Sequence, residues 1–480
     1  MHARRLSYEL RDPAPRLPVE IPFDGAVLRC TTMLRHLPGK RLVCLGVYGD
    51  RQTVAKIYVD SKRAHVHAER EVRGARAMIE RGIRTAPLLA VASIEGIHVV
   101  AYERVMPAQT AAELWTSATP SERVRLFRRL VQTVAQHHNA GLLQEDLHLG
   151  NFLISEDRVY TLDAAAVVIE QAPVERRKAL ENLALLYAQV PPAHDASNLA
   201  AFEDYARIRN WPISNKDLAD LRGTIDRQRE RRERLFFRKV FRESSAFVCR
   251  KRLEHYYVCD RRDYNDAMRR ALEHPESLFE DARFLKRGNT ATVAVAQVGG
   301  REVVVKRYNI KGPLHALNRA FRPTRAATSW RNAQRLRFYD IATPRPIALV
   351  EKRFGPLRRT AYFITEFHPG EAASEFFSRN DVPQEQKRRI AERIAALIGS
   401  LRTLRLSHGD MKATNFLVSG EDVALIDLDA MHKHRSTSRA ACALARDVRR
   451  FMQNWSNDPD VAGLFRTSLA RHLELPDHPT

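Results

Sequence analysis

The sequence predicts an α+β chain in which one unit of about 230 residues, a mainly antiparallel sheet followed by a helical part, occurs twice. Two observations carry this expectation. The stretches QEDLHLGNFLISEDRVYTLDAAAV, from Gln144, and HGDMKATNFLVSGEDVALIDLD, from His408, share a pattern: Asp146 and Asn151 stand five positions apart, as do Asp410 and Asn415. Asp163 follows Asn151 by twelve, as Asp427 follows Asn415, and both stretches read Asn-Phe-Leu after the loop. The second observation lies upstream, where two apolar hairpins end in a lysine, Lys56 in VAKIY and Lys306 in VVVKRY. Gly39 precedes the first lysine by 17 positions and Gly288 precedes the second by 18.

The elements follow in order. Residues 34 to 60 read as strands joined at Tyr-Gly-Asp, and a charged helix is expected from about Val66 to Arg81, stopped by Gly82 with Pro87 beyond. Residues 97 to 105, IHVVAYERV, read as a strand. A helix then begins at Pro120, capped by Thr119, with Val124, Phe127, Leu130, Val131 and Val134 on one face, and stops near Gly141. His137 and His138 close that helix and are not read as metal ligands. Residues 217 to 243 form a strongly basic amphipathic helix, read as the end of the first domain with membrane contact as the alternative. FVCRKRLEHYYVC opens the second copy, so the expected domains are 1–240 and 241–480. In that copy AYFITEF, 361 to 367, matches 101 to 105, with Glu366 answering Glu103, and a helix bearing Ile390, Ile394, Leu397, Ile398, Leu401 and Leu404 leads into His408.

Composition narrows the class. With 44% hydrophobic and 28% charged residues the 480-residue chain is globular, has no apolar run of membrane-spanning length and starts without a signal-peptide core, which points to the cytoplasm. The five cysteines contain no Cys-x-x-Cys pair and are expected as reduced thiols. A net charge of +22 favours phosphate-rich partners, whether anionic membrane, phosphorylated glycolipid or nucleic acid.

Lys, Asp, Asn and Asp, repeated in order, are the residue types that phosphoryl transfer requires. Lys56 or Lys306 would hold ATP phosphates; Asp146 or Asp410 would orient and deprotonate a hydroxyl; Asn151 with Asp163, or Asn415 with Asp427, would bind Mg²⁺. His148 and Lys412, two residues past each base, are candidates for contact with the transferred phosphate.

These motifs resemble the protein-kinase-like fold, and most closely the lipopolysaccharide core kinases of Gram-negative bacteria, which phosphorylate Kdo or heptose. The Asp-Leu-Asp at 427–429 resembles that family in particular. The resemblance implies two tandem kinase-like domains, each a small β lobe and a larger helical lobe. It also implies ATP and Mg²⁺ as cosubstrates and a lipopolysaccharide core acceptor met at the cytoplasmic face of the inner membrane. On that reading the anionic membrane surface is a partner and nucleic acid is not. Lys311, His315, Arg319, Arg322 and Arg325 would face an acidic glycolipid.

The copies depart from the pattern differently. Glu71 can pair with the nucleotide lysine in the first, whereas alignment of RGIRTAP with YDIATP puts Ser329 there in the second. Gln144 stands where the second copy has His408, and neither copy has a complete Gly-x-Gly-x-x-Gly, leaving Gly39 and Gly288 as nucleotide-contact candidates. Two alternatives stay open: a kinase of small alcohols such as aminoglycosides, and a partly inactive scaffold binding anionic lipid or nucleic acid.

Overall fold

The computed structural model describes residues 16–59, 63–94, 96–309, 323–355 and 357–473. The chain forms two compact units, one of residues 1–190 and 194–229, the other of 191–193 and 230–480. The division falls inside the basic helix Asn215–Val240, ahead of the expected boundary near 240.

In the first unit a six-stranded antiparallel sheet runs in the order Val19–Phe23, Ala26–Leu37, Arg41–Tyr48, Arg51–Tyr58, Ile97–Glu103, Leu88–Ile94. Alternating burial along Arg41–Tyr48 is what a strand with one covered face requires. The helix Ala64–Glu80 follows the lysine strand. Thr119 caps the helix Pro120–Asn139 in a reciprocal box with Glu122, satisfying two backbone donors at once. Its apolar face, with Phe127, Leu130, Val131 and Val134, packs in a core with Tyr187, Phe202 and Tyr205.

The second unit has a seven-stranded sheet, in the order Phe247–Lys251, His255–Asp260, Pro346–Phe354, Leu357–Glu366, Arg301–Tyr308, Ala291–Val298, Arg283–Arg287. Five strands of each sheet share one order around the lysine strand. The first unit adds a strand at one edge, and the second adds a hairpin at the other. Register agrees in detail: Glu103 pairs with Thr53 and Glu366 with Val303, each three positions before its lysine. In chain order the helix Arg325–Phe338 lies between the lysine strand and Pro346–Phe354, and the helices Gln384–Thr403, Thr437–Met452 and Pro459–Leu473 follow the sheet.

One expectation is corrected. Cys30 and Cys44 are joined as a disulfide, with Cα atoms 5.8 Å apart, whereas Cys249, Cys259 and Cys442 are free. The two lie on neighbouring strands but not opposite each other, Cys30 pairing with Gly46 and Cys44 with Met33 across a register that shifts twice, so fourteen residues of separation give no hint of the bond. The basic helix turns Phe236 and Val240 inward at its C-terminal end. Val240 is fully buried and its carbonyl accepts from Trp330 Nε1 at 3.1 Å, while Phe236 stacks on Phe338. Buried Glu233 on the same helix accepts from Arg335 at 2.9 Å and Tyr339 at 2.8 Å and pairs with Lys433. Val240 and Phe236 therefore pack into the core of the second unit, while Leu235 stays exposed. Among the described residues no helix is long and apolar enough to cross a membrane.

Candidate active sites

Each lysine projects from a central strand, held by pairing on both sides: Lys56 faces Val43 and Val100, and Lys306 faces Val293 and Phe363. In the first unit Lys56 Nζ lies 2.6 Å from Glu71 and 3.2 Å from Asp163. The Glu71 carboxylate is 1% exposed and also accepts from Tyr102 at 2.7 Å, Tyr58 at 3.3 Å and the Ala165 amide at 3.2 Å. So many donors offset the desolvation of a buried charge. The helix comes close enough to do this because Gly74 has no side chain; a Cβ there would lie 1.9 Å from the Ala164 carbonyl oxygen.

The second unit anchors its lysine differently. Lys306 pairs with Asp427 and, at 3.2 Å, with Asp429, and Asp429 also takes Arg325 at 2.7 Å. Burial alone would lower the Lys306 amine, but Tyr308, Asp429 and Asp427 together raise it above the ordinary lysine value. Burial would likewise raise the Asp427 carboxyl, yet Lys306 holds it below its usual value. Ser329 hydrogen-bonds the Tyr308 hydroxyl at 2.8 Å, as Glu71 bonds Tyr58, so it occupies the position the alignment assigned. Arg325 is thus engaged within the site. Lys311, His315, Arg319 and Arg322 lie outside the described residues.

The loops bearing the candidate bases are built alike. Asn151 Nδ2 donates to the Asp146 carbonyl at 2.7 Å, and Asn415 Nδ2 to the Asp410 carbonyl at 2.8 Å. The backbone carbonyls of Asn151 and Asn415 then accept from Leu162 and Ile426 at 2.8 and 2.9 Å. This ties each asparagine to the residue before the second aspartate. Asp163 and Asp427 both adopt left-handed backbone, φ +57° and +62°. Gln144 and His408 make the same brace despite their different chemistry: Gln144 Nε2 donates to the Leu162 carbonyl at 2.7 Å, and His408 Nε2 contacts the Ile426 carbonyl at 2.9 Å.

Around the bases the units diverge. Asp146 is 65% exposed, with His148 Nε2 at 3.6 Å, and His148 Nδ1 accepts from the Gly150 amide. Asp410 is less exposed and sits between Lys412 at 3.1 Å and Arg450 at 2.6 Å. Buried Asp447 accepts from the His408 amide at 2.6 Å and the Gly409 amide at 3.0 Å, fixing the backbone ahead of Asp410. Its carboxyl is raised by burial, against the lowering effect of those two amides. Arg446, Arg449 and Arg450 line an open pocket with Gly409 and His434. Sequence reasoning missed Asp447, Arg450 and the pairing role of Asp429; only Asp429 was signalled, by its place in the Asp-Leu-Asp motif.

Gly39 lies in the turn before Arg41–Tyr48 with φ +67°, and Gly288 precedes Ala291–Val298, its amide bonded to the Ala291 carbonyl at 3.2 Å. Each therefore stands at the turn leading into the strand beside its lysine strand. Among the described residues no three His, Cys, Asp or Glu side chains gather as a preformed metal site. The donor set nevertheless suits a hard cation. One carboxylate and one amide oxygen, from Asp427 and Asn415 or from Asp163 and Asn151, leave room for the phosphate and water oxygens that Mg²⁺ prefers.

Residues 276–467, which hold Lys306, Asp410, Asn415 and Asp427, match the family model described as lipopolysaccharide kinase (Kdo/WaaP) family. The enzyme is a kinase. Kinases of this kind use ATP with a divalent metal. Similar solved structures include an aminoglycoside-3'-phosphotransferase of type VIII, 18% identical, covering 45% of this chain and 95% of its own, with a TM-score of 0.31. Another is a point mutant of the Mycobacterium tuberculosis PknI kinase domain, 15% identical, covering 41% and 85%, with a TM-score of 0.27. No curated protein matches the chain.

Proposed function

We propose that the kinase transfers the γ-phosphoryl group of ATP to a sugar hydroxyl, heptose or Kdo, of the lipopolysaccharide core. The observation that carries this is the family match over the residues bearing Lys306, Asp410, Asn415 and Asp427. In this reading Lys306 binds the nucleotide phosphates, assisted by Gly288. Asp410 orients the acceptor hydroxyl and takes its proton, and Lys412 sits beside it to meet the transferring group. Asn415 and Asp427 would hold Mg²⁺, which would neutralise phosphate charge.

The surroundings of Asp410 support an anionic acceptor. Arg446, Arg449 and Arg450 on one helix, with Lys412 across the base, give a cationic approach that suits phosphate or carboxylate groups and opposes a polycationic aminoglycoside. The net charge of +22 supports work at an anionic membrane surface, as a peripheral protein on the cytoplasmic face of the inner membrane.

The first unit is proposed as a second kinase-like domain. Its five-strand order, its Lys56–Glu71 pair and its Asp146, Asn151 and Asp163 support that reading, with Gly39 and His148 in the auxiliary positions. The test is incubation of the full chain with ATP, Mg²⁺ and purified lipid A–core acceptor, read by mass spectrometry of the glycolipid. Phosphate addition abolished by Asp410→Ala is the expected result; the Asp146→Ala variant reports whether the first unit also transfers. Absence of transfer to core acceptor or its sugars refutes the proposal.

A further inference from the structure

Three positions around the nucleotide lysine differ together between the units. In the first unit the helix after the lysine strand supplies Glu71, the neighbouring strand supplies Tyr102, and the second residue past Asp163 is Ala165, whose amide donates to Glu71. In the second unit the equivalents are Ser329, Thr365 and Asp429. Thr365 is identified by register, since it pairs with Val304 as Tyr102 pairs with Val54, each two positions before the lysine. One helical turn before Glu71, His67 stacks on Tyr58; one turn before Ser329, Arg325 lies over the Tyr308 ring at 5.0 Å. The carboxylate has left the helix, a cation has arrived there, and a carboxylate has appeared on the loop opposite.

We propose that Asp429 is the positioning residue for Lys306, with Arg325 as its anchor, so that the metal-site loop supplies the carboxylate which the helix supplies in the first unit. The geometry is specific. The Asp429 side chain is 7% exposed, and one oxygen, Oδ2, takes both Lys306 Nζ at 3.2 Å and Arg325 Nη2 at 2.7 Å. A buried carboxylate between two cations is held firmly and holds them in turn. Asp427 alone would leave the lysine bound to a group that is also proposed to take the metal, and the lysine would lose that partner to the cation. Asp429 keeps Lys306 in place when Asp427 is engaged elsewhere. Movement of the helix therefore breaks the lysine pair directly in the first unit, but only through Arg325 in the second.

This rests on the reading of Lys306 as the nucleotide lysine, and the experiment separates the two. The full chain is pulsed with a small amine-acylating reagent, and modification of Lys306 is read by peptide mass spectrometry with Lys56 as internal reference. In Asp429→Asn, an isosteric change, Lys306 is expected to acylate several-fold faster while Lys56 stays unchanged, because the amine has lost one of its two partners. Arg325→Met is expected to give a smaller rise. Ser329→Glu added to Asp429→Asn puts the carboxylate back on the helix and is expected to return Lys306 towards its original rate, which a merely structural role for Asp429 does not produce. Unchanged Lys306 labelling in Asp429→Asn overturns the proposal, as does failure of Ser329→Glu to restore protection. So does an increased metal requirement for activity with Lys306 labelling unaltered, which would assign Asp429 to the metal. Addition of ATP tests the underlying reading separately: if ATP does not protect Lys306, the nucleotide role fails while the pairing stands.

Discussion

Acid sensitivity of the first unit can be worked from two adjacent histidines. His137 and His138 are buried, their rings lowered by burial to about 4 and about 3. Both are satisfied as neutral rings. His137 Nε2 meets Thr161 Oγ1 at 2.9 Å, and His138 lies between the Tyr205 hydroxyl at 2.6 Å and Asn182 Oδ1 at 3.1 Å. Asn182 Nδ2 donates to the Gln144 carbonyl, which orients Oδ1 to accept from His138. For a histidine whose folded pKa lies below its unfolded value, stability is complete above the unfolded value near 6.5 and is lost as pH falls toward the folded one. Each histidine then costs about 1.4 kcal/mol per pH unit, or about 2 kcal/mol at pH 5. His138→Gln retains a donor and an acceptor but removes one proton from the count. Urea unfolding at pH 7, 6 and 5, read by a protease pulse and detection of peptides from residues 120–208, should show the native chain losing about 2 kcal/mol more than the variant over that interval. Parallel pH dependence of the two proteins would refute the reasoning.

Two further outcomes are expected. Glu71→Gln leaves Lys56 paired with Asp163 and weakens the hydrogen bonds from Tyr58, Tyr102 and the Ala165 amide, and the first unit should lose about 1–3 kcal/mol, seen as a lower urea midpoint with peptides 64–103 exposed early. Gly409→Ala meets two obstacles, a backbone at φ +80° and a Cβ 2.6 Å from the Ala430 carbonyl oxygen. Phosphoryl transfer by the second unit should fall at least tenfold with ATP binding retained, since about 1.4 kcal/mol of misalignment is enough; unchanged turnover would show that the loop ahead of Asp410 yields without cost.

What the sequence made legible was whatever repeats at fixed spacing. Lys, Asp, Asn and Asp recur in order, and the structure brings Lys56 to Asp163 and Lys306 to Asp427 across more than a hundred residues. Ser329 was legible as a mismatch because Glu71 defines what the position holds. The compensation was not, since Asp429 reaches Lys306 only through the fold and reads in sequence as part of a motif. The brace at Gln144 looked like a departure from His408 because residue identity was visible and the hydrogen bond was not. Cys30 and Cys44 escaped for a related reason, as their pairing depends on a bulged register that alternation does not encode. Asp447 comes from a helix that follows the site, and nothing local marks its carboxylate as aimed back at His408 and Gly409.

The left-handed backbone at Asp163 and Asp427 has an evolutionary consequence. That conformation is tolerated by glycine and by aspartate and asparagine, and is costly for β-branched or bulky residues. A lineage abandoning catalysis at either position therefore has few neutral exits, with asparagine the nearest in shape. Loss of chemistry there can be silent in the fold, so a retired copy would keep the outline of a working one. At these two positions the nearest exchange is one oxygen for nitrogen, which keeps the backbone conformation and gives up the charge that Lys56 or Lys306 faces.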